Sequence, residues 1–397
     1  MTRAQLVDIA RRGVAHYRAG TVDQESGIHE VPVANYHDAD RWQLEMDHIF
    51  GRLPLMVAFS AELRGAGAYK AMDVAGMPVL LSRGDGGAVR AFVNMCSHRG
   101  AIVVADGLGT ARRHACPYHS WTYDSHGDLV GIRDAATFGD VDKSCNGLTS
   151  LPVAERAGLV WVTLRPAGSI DIDAHLCGYG EMLTHLDFEN CHVVGRQTVE
   201  GPGWKVAYDG YLDYYHLPVL HRESFGPDMS SEALFDSWGP HQRVTAPDRH
   251  FAELAELPED EWTIERLIGG VWTIFPHVSI AAFDAGGKMY MVSQLFPGDA
   301  AGESYTIQNF LHTRPPDDEQ AELVAERMAF LERVVRDEDY YTGKRIERTV
   351  RTGAKSVFMF GRNEGGGQRF HRWVDAVLAT DDADLAELFG SGVESLR

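Results

Sequence analysis

Two short segments, each with one cysteine and one histidine, constrain the fold of this chain most strongly. Cys96 and His98 lie in NMCSHRG, and Cys116 and His119 lie in CPYHSW. Glycine and proline stand close to both pairs, so we expect tight loops around them. Four such ligands within 24 residues indicate one shared metal centre held by two loops.

The order of the ligands indicates which metal the centre holds. Zinc fingers usually supply two cysteines first and two histidines later, whereas here each segment supplies one of each. A two-iron cluster, in which two cysteines bind one iron and two histidines bind the other, fits this order. Structural zinc is the alternative interpretation.

Composition limits the partners. The 397 residues carry a formal net charge of −20, which disfavours nucleic acid and anionic membrane surfaces as partners. No apolar run reaches the length of a membrane span. Five cysteines at irregular spacing argue against a disulfide framework, and we expect a reducing, cytoplasmic location.

Strand and helix patterns predict three parts. Residues 1–41 are expected to form a helical segment that packs on the body of the protein. Residues 42–166 alternate short strands with turns and contain both Cys-His segments, which indicates an antiparallel β domain. Residues 167–397 combine a three-strand meander, a helix over the tyrosine-rich segment near 204–225 and long later helices, a pattern typical of an α+β domain.

A second group of ligands lies in the last part. Asp213, His216 and His221 form the pattern D-x2-H-x4-H. On a helix Asp213 and His216 would share a face, but the two histidines would diverge. Pro218 disturbs helix geometry and gives a reason for them to converge. Two histidines and one carboxylate form the facial triad of non-haem iron(II) sites.

The carboxylate of that triad is not fixed by the helix pattern. Apolar residues over 324–335 define one helix face, and Asp337 points away from it. Glu338 and Asp339 both lie near the face, and helix phase alone slightly favours Glu338. Asp375 is a further candidate, and the adjacent acids could instead be solvated surface charges.

The segments CSHRG and CPYHSW, together with D-x2-H-x4-H, resemble the Rieske non-haem iron oxygenases that hydroxylate aromatic rings. The resemblance covers almost all of the chain and implies a terminal oxygenase α subunit. It implies an α+β fold, with a Rieske [2Fe-2S] antiparallel β domain followed by a helix-grip catalytic domain. It also implies a [2Fe-2S] cluster, a mononuclear Fe(II) and O2 as co-substrate.

The resemblance assigns roles to particular residues. The cluster ligands would be Cys96, His98, Cys116 and His119. The iron ligands would be His216, His221 and Asp339, although Glu347 stands where the family often has glutamine. Asp213 is similar to the family's aspartate that bridges an iron histidine to a cluster histidine of the neighbouring subunit, which implies a head-to-tail homotrimer. Asp209 stands where some members carry asparagine, and its role stays open.

The resemblance also implies partners and a substrate. The chain has no dinucleotide fingerprint, so a separate NAD(P)H-dependent reductase, with or without a ferredoxin, must supply electrons. A small β subunit is compatible with the family. We expect a small aromatic or apolar substrate from aromatic hydrocarbon catabolism. Tyr208, Tyr211, Phe275 and Phe283 are candidates for its pocket, and packing in the hydrophobic core is the alternative for each of them.

The sequence is compatible with more than one reaction and with more than one class of substrate. Monohydroxylation, dihydroxylation and oxidative demethylation all suit one iron site, and an aromatic box could also bind a quaternary ammonium group. The alternative function is a Rieske-type electron-transfer protein that has the cluster but no catalytic iron.

Overall fold

The structure is a computed structural model that describes residues 3–247 and 249–391. The chain forms two compact units, one of Met1–Ile49 with Asp173–Arg397 and one of Phe50–Ile172. The boundaries expected from the sequence, after residues 41 and 166, fall a few residues before these divisions. None of the described helices combines the length and the apolar content that a membrane crossing requires.

The first unit begins with short elements. A stripe of apolar residues, Leu6, Val7, Ala10 and Val14, is buried on the first helix. The elements are α1 (Arg3–Ala19), β1 (His29–Pro32), α2 (Ala34–His37) and α3 (Ala39–Glu45), followed by a π-helical turn, Met46–Phe50. Asp38 begins α3, and its side chain accepts the Arg41 backbone N–H.

The second unit is built from three antiparallel sheets in the orders β10-β5-β4-β3-β6, β11-β12-β2 and β7-β8-β9. Its strands are β2 (Leu55–Phe59), β3 (Ala68–Val74), β4 (Met77–Arg83), β5 (Val89–Val93), β6 (Gly107–Thr110), β7 (Arg113–Ala115), β8 (Thr122–Asp124), β9 (Leu129–Gly131), β10 (Ser150–Leu151), β11 (Val153–Arg156) and β12 (Leu159–Val162). One short helix, α4 (Ala135–Phe138), follows β9. Both Cys-His segments lie in loops of this unit.

The remainder of the first unit contains a seven-stranded antiparallel sheet in the order β13-β19-β18-β17-β16-β15-β14. Its strands are β13 (His192–Gly201), β14 (Leu234–Trp238), β15 (His241–Thr245), β16 (Val271–Ile274), β17 (Val278–Asp284), β18 (Lys288–Pro297) and β19 (Ser304–His312). The predicted three-strand meander is wrong: it has four strands, because a turn at Phe275–Pro276 separates β16 from β17. A last strand, β20 (Val357–Phe360), pairs with β1.

Helices of this unit contact the sheet through α7, α11 and α12. The helices are α5 (Ile172–Leu176), α6 (Tyr179–Leu183), α7 (Trp204–Asp209), α8 (Leu217–Leu220), α9 (Arg249–Ala255), α10 (Ile264–Leu267), α11 (Asp318–Val334), α12 (Tyr340–Val350), α13 (Gly365–Ala379) and α14 (Leu385–Ser391). A π-helical turn, Val335–Asp339, joins α11 to α12. These mixed helices and antiparallel sheets confirm the predicted α+β class.

Candidate metal centres

Two loops of the second unit hold the paired cysteines in the same way. The Cys96 N–H donates to Ala101 and the Gly100 N–H donates to the Cys96 carbonyl, both at 2.8 Å. In the other loop the Cys116 N–H donates to Trp121 at 2.8 Å and the Ser120 N–H donates to Cys116 at 2.9 Å. The fifth residue of each loop, Gly100 or Ser120, has a positive φ, which the tight turn requires. Two matched loops therefore present two thiols.

The thiols of both loops lie in one buried core. Cys96 and Cys116 are each 2% exposed and pack in the same apolar cluster as Trp121 and Tyr123. The Tyr123 hydroxyl lies 3.2 Å from the Cys96 sulfur. Burial and the contact with Cys96 raise the pKa of Tyr123 to about 12. The hydroxyl therefore keeps its proton and can donate it to a thiolate, an interaction that tunes cluster potential.

The two histidines of these loops lie side by side. The ring centroids of His98 and His119 are 4.7 Å apart, and His98 stacks on Trp121 at 5.0 Å. Within the described part of the chain, the buried Nδ1 of His98 has no hydrogen-bond partner, which is costly unless a ligand satisfies it. Two buried thiols and two adjacent imidazoles, one with an orphaned nitrogen, fit a [2Fe-2S] cluster.

The predicted helix over the tyrosine-rich segment is wrong. It is broken into α7 and α8, and Asp213 lies in the turn between them. The Asp213 carboxylate accepts the backbone N–H of His216 at 3.1 Å and lies 3.0 Å from its Nδ1. A short aspartate side chain that bonds nearby backbone competes with helix formation. The break fixes the His216 ring so that Nε2 faces the opposite way from Asp213.

The two histidines converge on Asp339. His216 precedes α8 and His221 follows it, and their ring centroids are 5.2 Å apart. The Asp339 Oδ1 lies 3.1 Å from Nε2 of His221 and 3.8 Å from Nε2 of His216. One ligand atom from each residue lies within 4.8 Å of the others. This donor set fits a mononuclear Fe(II) with open positions.

Glu338 occupies a different place, against the other nitrogen of the same histidine. Its Oε2 lies 2.6 Å from Nδ1 of His221 and accepts the Ser224 hydroxyl at 2.9 Å. The preference of helix phase for Glu338 fails because the π-helical turn changes the phase of both acids. Asp375 lies elsewhere and pairs with Arg41. Glu338 is therefore placed to orient His221.

The electrostatics of His221 follow from these two acids. Burial lowers the pKa of His221, but hydrogen bonds and charges from Asp339 and Glu338 outweigh it and raise the pKa above the usual value. The site therefore attracts positive charge at the nitrogens that face Asp339. A proton and a divalent metal would compete for the same Nε2 atom.

A cavity of about 630 Å³ opens beside these three residues. Tyr211 and Phe283, both expected at the substrate pocket, line it. Tyr208 and Phe275 were also expected there, but they are not among its described lining residues. Both are about 1% exposed and pack beside Phe370, at centroid distances of 4.8 and 6.1 Å. They are core residues, because their buried rings pack against Phe370 of α13.

Family models match both halves of this arrangement. The model described as "Rieske [2Fe-2S] domain" matches residues 54–151. The model described as "Ring hydroxylating alpha subunit (catalytic domain)" matches residues 188–380, which include both histidines and Asp339. The chain belongs to the Rieske oxygenases.

Several known proteins are similar to this Rieske oxygenase. The glycine betaine monooxygenase oxygenase subunit of Chromohalobacter salexigens is 30% identical over 53% of this chain and 48% of its own length. The carnitine monooxygenase oxygenase subunit of Escherichia coli K12 is 25% identical over 82% of this chain and 84% of its own. The crystal structure of a quaternary ammonium Rieske monooxygenase superposes with a TM-score of 0.74 at 19% identity, covering 92% of this chain and 98% of that one, and shows a shared fold.

Family membership confirms several expectations from the sequence. The cofactors are a Rieske [2Fe-2S] cluster and a mononuclear iron, with O2 as co-substrate. The chain is an oxidoreductase that incorporates oxygen. The alternative of an electron carrier without catalytic iron is not supported, because the catalytic-domain model matches the part of the chain that holds the histidines.

Two acids that the sequence left unexplained have other partners in this Rieske oxygenase. Asp209 accepts the Tyr36 hydroxyl at 2.9 Å and lies 3.0 Å from Nε2 of the buried His371. Glu347 accepts the Gly203 backbone N–H at 3.1 Å, and burial raises the pKa of its carboxyl. Both acids therefore take part in packing contacts behind α7.

Sequence reasoning missed two functional features. Glu338 and Ser224 support His221, a role that no spacing rule could reveal because they lie 114 residues apart. Arg327 lines the cavity together with Leu331 and Val335. The apolar stripe of α11 was a signal for Leu331 and Val335, but one arginine on an amphipathic helix carries no signal of its own.

Proposed function

We propose that this Rieske oxygenase is a terminal oxygenase component that hydroxylates a small organic substrate in the 630 Å³ cavity. The observation that carries the proposal is the convergence of His216, His221 and Asp339 on the cavity wall. Iron(II) held by these three residues would supply open coordination positions for O2 next to the substrate. Glu338 holds His221 in the orientation that this requires.

Electrons would enter through the other metal centre. Cys96, Cys116, His98 and His119 would hold the [2Fe-2S] cluster, which supplies one-electron transfer. A separate reductase, directly or through a ferredoxin, is the electron donor in this proposal. Tyr118 contacts the His119 ring at 3.8 Å and is exposed. The histidine end of the centre is therefore within reach of another protein.

Asp213 supports the proposal of a head-to-tail homotrimer. One carboxylate oxygen of Asp213 contacts both the backbone N–H and the Nδ1 of His216. Among the described residues, the other carboxylate oxygen has no hydrogen-bond partner. A carboxylate in this position can accept an N–H from a second imidazole. We propose that this imidazole is a cluster histidine of the neighbouring subunit, so that Asp213 links the two metal centres.

The substrate is proposed only as a class. The similar enzymes are named for glycine betaine and carnitine, whereas the sequence favours an aromatic or apolar compound. Phe283, Met291, Leu331 and Val335 line the cavity and favour an apolar group beside the iron residues. The geometry of the iron site suits monohydroxylation, dihydroxylation and demethylation alike, so the reaction is identified by its product.

Oxygen uptake tests the proposal. The protein, reconstituted with iron and sulfide, would be mixed with a surrogate NADH-dependent reductase and a panel of amines and aromatic acids. Substrate-dependent uptake, with oxygen from labelled O2 in a product identified by mass spectrometry, is expected. The matched control is His221→Ala, which should show no product. Uptake without any oxygenated product in the whole panel would contradict the proposal.

A further inference from the structure

Arg327 places a positive charge in the wall of a largely apolar cavity. It is half-buried on α11, on the same face as Leu331 and Val334, which also line the cavity. Within residues 3–247 and 249–391, it forms no hydrogen bond or ion pair. Its guanidinium lies over the Phe330 ring, 5.7 Å from the centroid. Its five N–H donors are therefore available to a ligand.

The separation of Arg327 from the iron residues sets the length of a ligand that contacts both. Arg327 lies twelve residues before Asp339 on a helical segment that ends in the π-helical turn Val335–Asp339, so the two residues line the cavity about three helical turns apart. A row of aromatic contacts connects Arg327 to the iron residue His221. Phe330 meets Phe225 at 5.4 Å, and Phe225 meets His221 at 5.7 Å, both edge to face. A ligand that contacts both ends must be elongated and apolar in its middle.

Besides Asp213 and Asp339 at the iron site, two acids line the cavity, and they differ from Arg327 in their surroundings. Asp228 and Asp284 are both exposed, and Asp284 accepts the Gly286 backbone N–H at 3.3 Å. Water and salt screen exposed charges strongly. Arg327 is half-buried beside the Phe330 ring, where the lower local dielectric makes a charge pair stronger. The cavity should therefore prefer an anion at this end.

We propose that Arg327 binds the anionic group of an elongated organic acid whose apolar end reaches the iron site. This proposal rests on the proposed function, since it names the substrate class for the same cavity. A planar guanidinium can donate two parallel hydrogen bonds to a carboxylate, which fixes both distance and orientation. Arg327 is a specificity residue in this account and takes no part in the reaction.

The proposal is tested by equilibrium binding, measured calorimetrically on the metal-loaded protein. The probes are phenyloctanoate, its neutral primary amide and the short acid phenylacetate. The wild type should bind phenyloctanoate about ten- to hundredfold more tightly than the amide, the range expected for a charged hydrogen-bonded pair. Phenylacetate, which is too short to reach both ends, should bind much more weakly than phenyloctanoate.

Three variants test whether the preference for the acid over the amide depends on Arg327. Arg327→Gln should remove the preference for acid over amide, and Arg327→Lys should keep part of it because the charge remains. Arg333→Gln is the matched control, since Arg333 lies over the same Phe330 ring at 5.5 Å but is exposed and outside the described cavity lining. It should leave the preference unchanged.

Several results would overturn the proposal. The first is equal binding of the acid and the amide by the wild type. The second is an equal loss of the preference for the acid in Arg327→Gln and Arg333→Gln. The third is no binding of phenyloctanoate by the wild type. Oxygen uptake is measured separately on the same samples. Tight binding of the acid that depends on Arg327, without oxygen incorporation into any compound, would contradict the proposed function and leave the role of Arg327 standing.

Discussion

Two adjacent acids reach opposite nitrogens of one histidine. Asp339 faces Nε2 of His221 at 3.1 Å, and Glu338 faces Nδ1 at 2.6 Å. In this account Asp339 is the metal ligand and Glu338 is the partner that fixes the ring. Exchanging these roles would leave the metal with a carboxylate on the wrong side of the imidazole. The two residues can therefore be separated by substitution.

Asp339→Ala should lose the mononuclear iron and keep the cluster, because it removes one of three ligands. Glu338→Gln should keep the iron with affinity lowered about 10- to 100-fold, the range for loss of an outer partner. Metal analysis after dialysis against a weak chelator measures both effects, and the visible spectrum of the cluster is the internal control. Loss of iron from Glu338→Gln with retention in Asp339→Ala would reverse the assignment.

Acidification should release the mononuclear iron. Asp339 and Glu338 raise the pKa of His221, so a proton competes with metal at a higher pH than for an ordinary histidine. In the metal-free protein the same raised pKa gives stability that is complete at low pH and is lost as pH rises through it. With iron bound, stability instead falls as the pH is lowered, because protons displace the metal. Iron affinity should fall by about tenfold per pH unit below the pKa of His221. Chelator competition between about pH 8 and pH 6 measures this, and a pH-independent affinity would contradict it.

At the scale of elements, a buried ion pair joins α3 to α7. Glu45 is fully buried, contacts Lys205, and accepts hydrogen bonds from Trp204 Nε1 at 2.9 Å and Arg41 at 3.0 Å. Helix α7 leads directly into the turn that contains Asp213. The ion pair therefore fixes the position of α7, the helix that precedes His216 and His221 in the chain.

Glu45→Ala should lower the free energy of unfolding by about 3 to 5 kcal/mol, because it leaves Lys205 as an uncompensated buried charge. The double variant Glu45→Met with Lys205→Met should cost less than the single one, since no charge remains buried. Denaturant unfolding measures both, with Glu322→Ala on the exposed side of α11 as control. A single variant that unfolds like the wild type would show that the pair is not structurally important.

Element boundaries near the metal residues were the least predictable part of the sequence. The cysteine loops and the triad histidines carry local patterns, and these sufficed to propose both metal centres. The break between α7 and α8 depends on the Asp213 side chain, which bonds the His216 backbone, and the apolar pattern does not show that contact. The apolar pattern does not show the π-helical turn Val335–Asp339 either. Tyr208 and Phe275 looked like pocket residues because aromatic spacing does not distinguish a cavity wall from a core.

In the whole molecule, the proposed function needs one electron path that joins the two metal centres. Asp213→Asn should retain both centres, because Asp213 is not a proposed ligand, but should lower turnover strongly. An asparagine side chain has one acceptor oxygen and an NH2 group that only donates, so it cannot accept an N–H from an imidazole on each side, as the two oxygens of a carboxylate can. Single-turnover kinetics with a pre-reduced cluster measures the step, with Asp318→Asn, at an exposed position at the start of α11 and outside the described cavity lining, as a control. Near wild-type coupling in Asp213→Asn would remove the proposed link.

A count of iron and acid-labile sulfide per chain in the reconstituted protein tests whether this chain holds both metal centres. We expect three irons and two sulfides, with the cluster's visible absorption, because this chain holds both a [2Fe-2S] centre and a mononuclear iron. Asp339→Ala should then contain two irons and two sulfides. Two irons in the wild-type protein, or zinc in place of iron and sulfide, would contradict it.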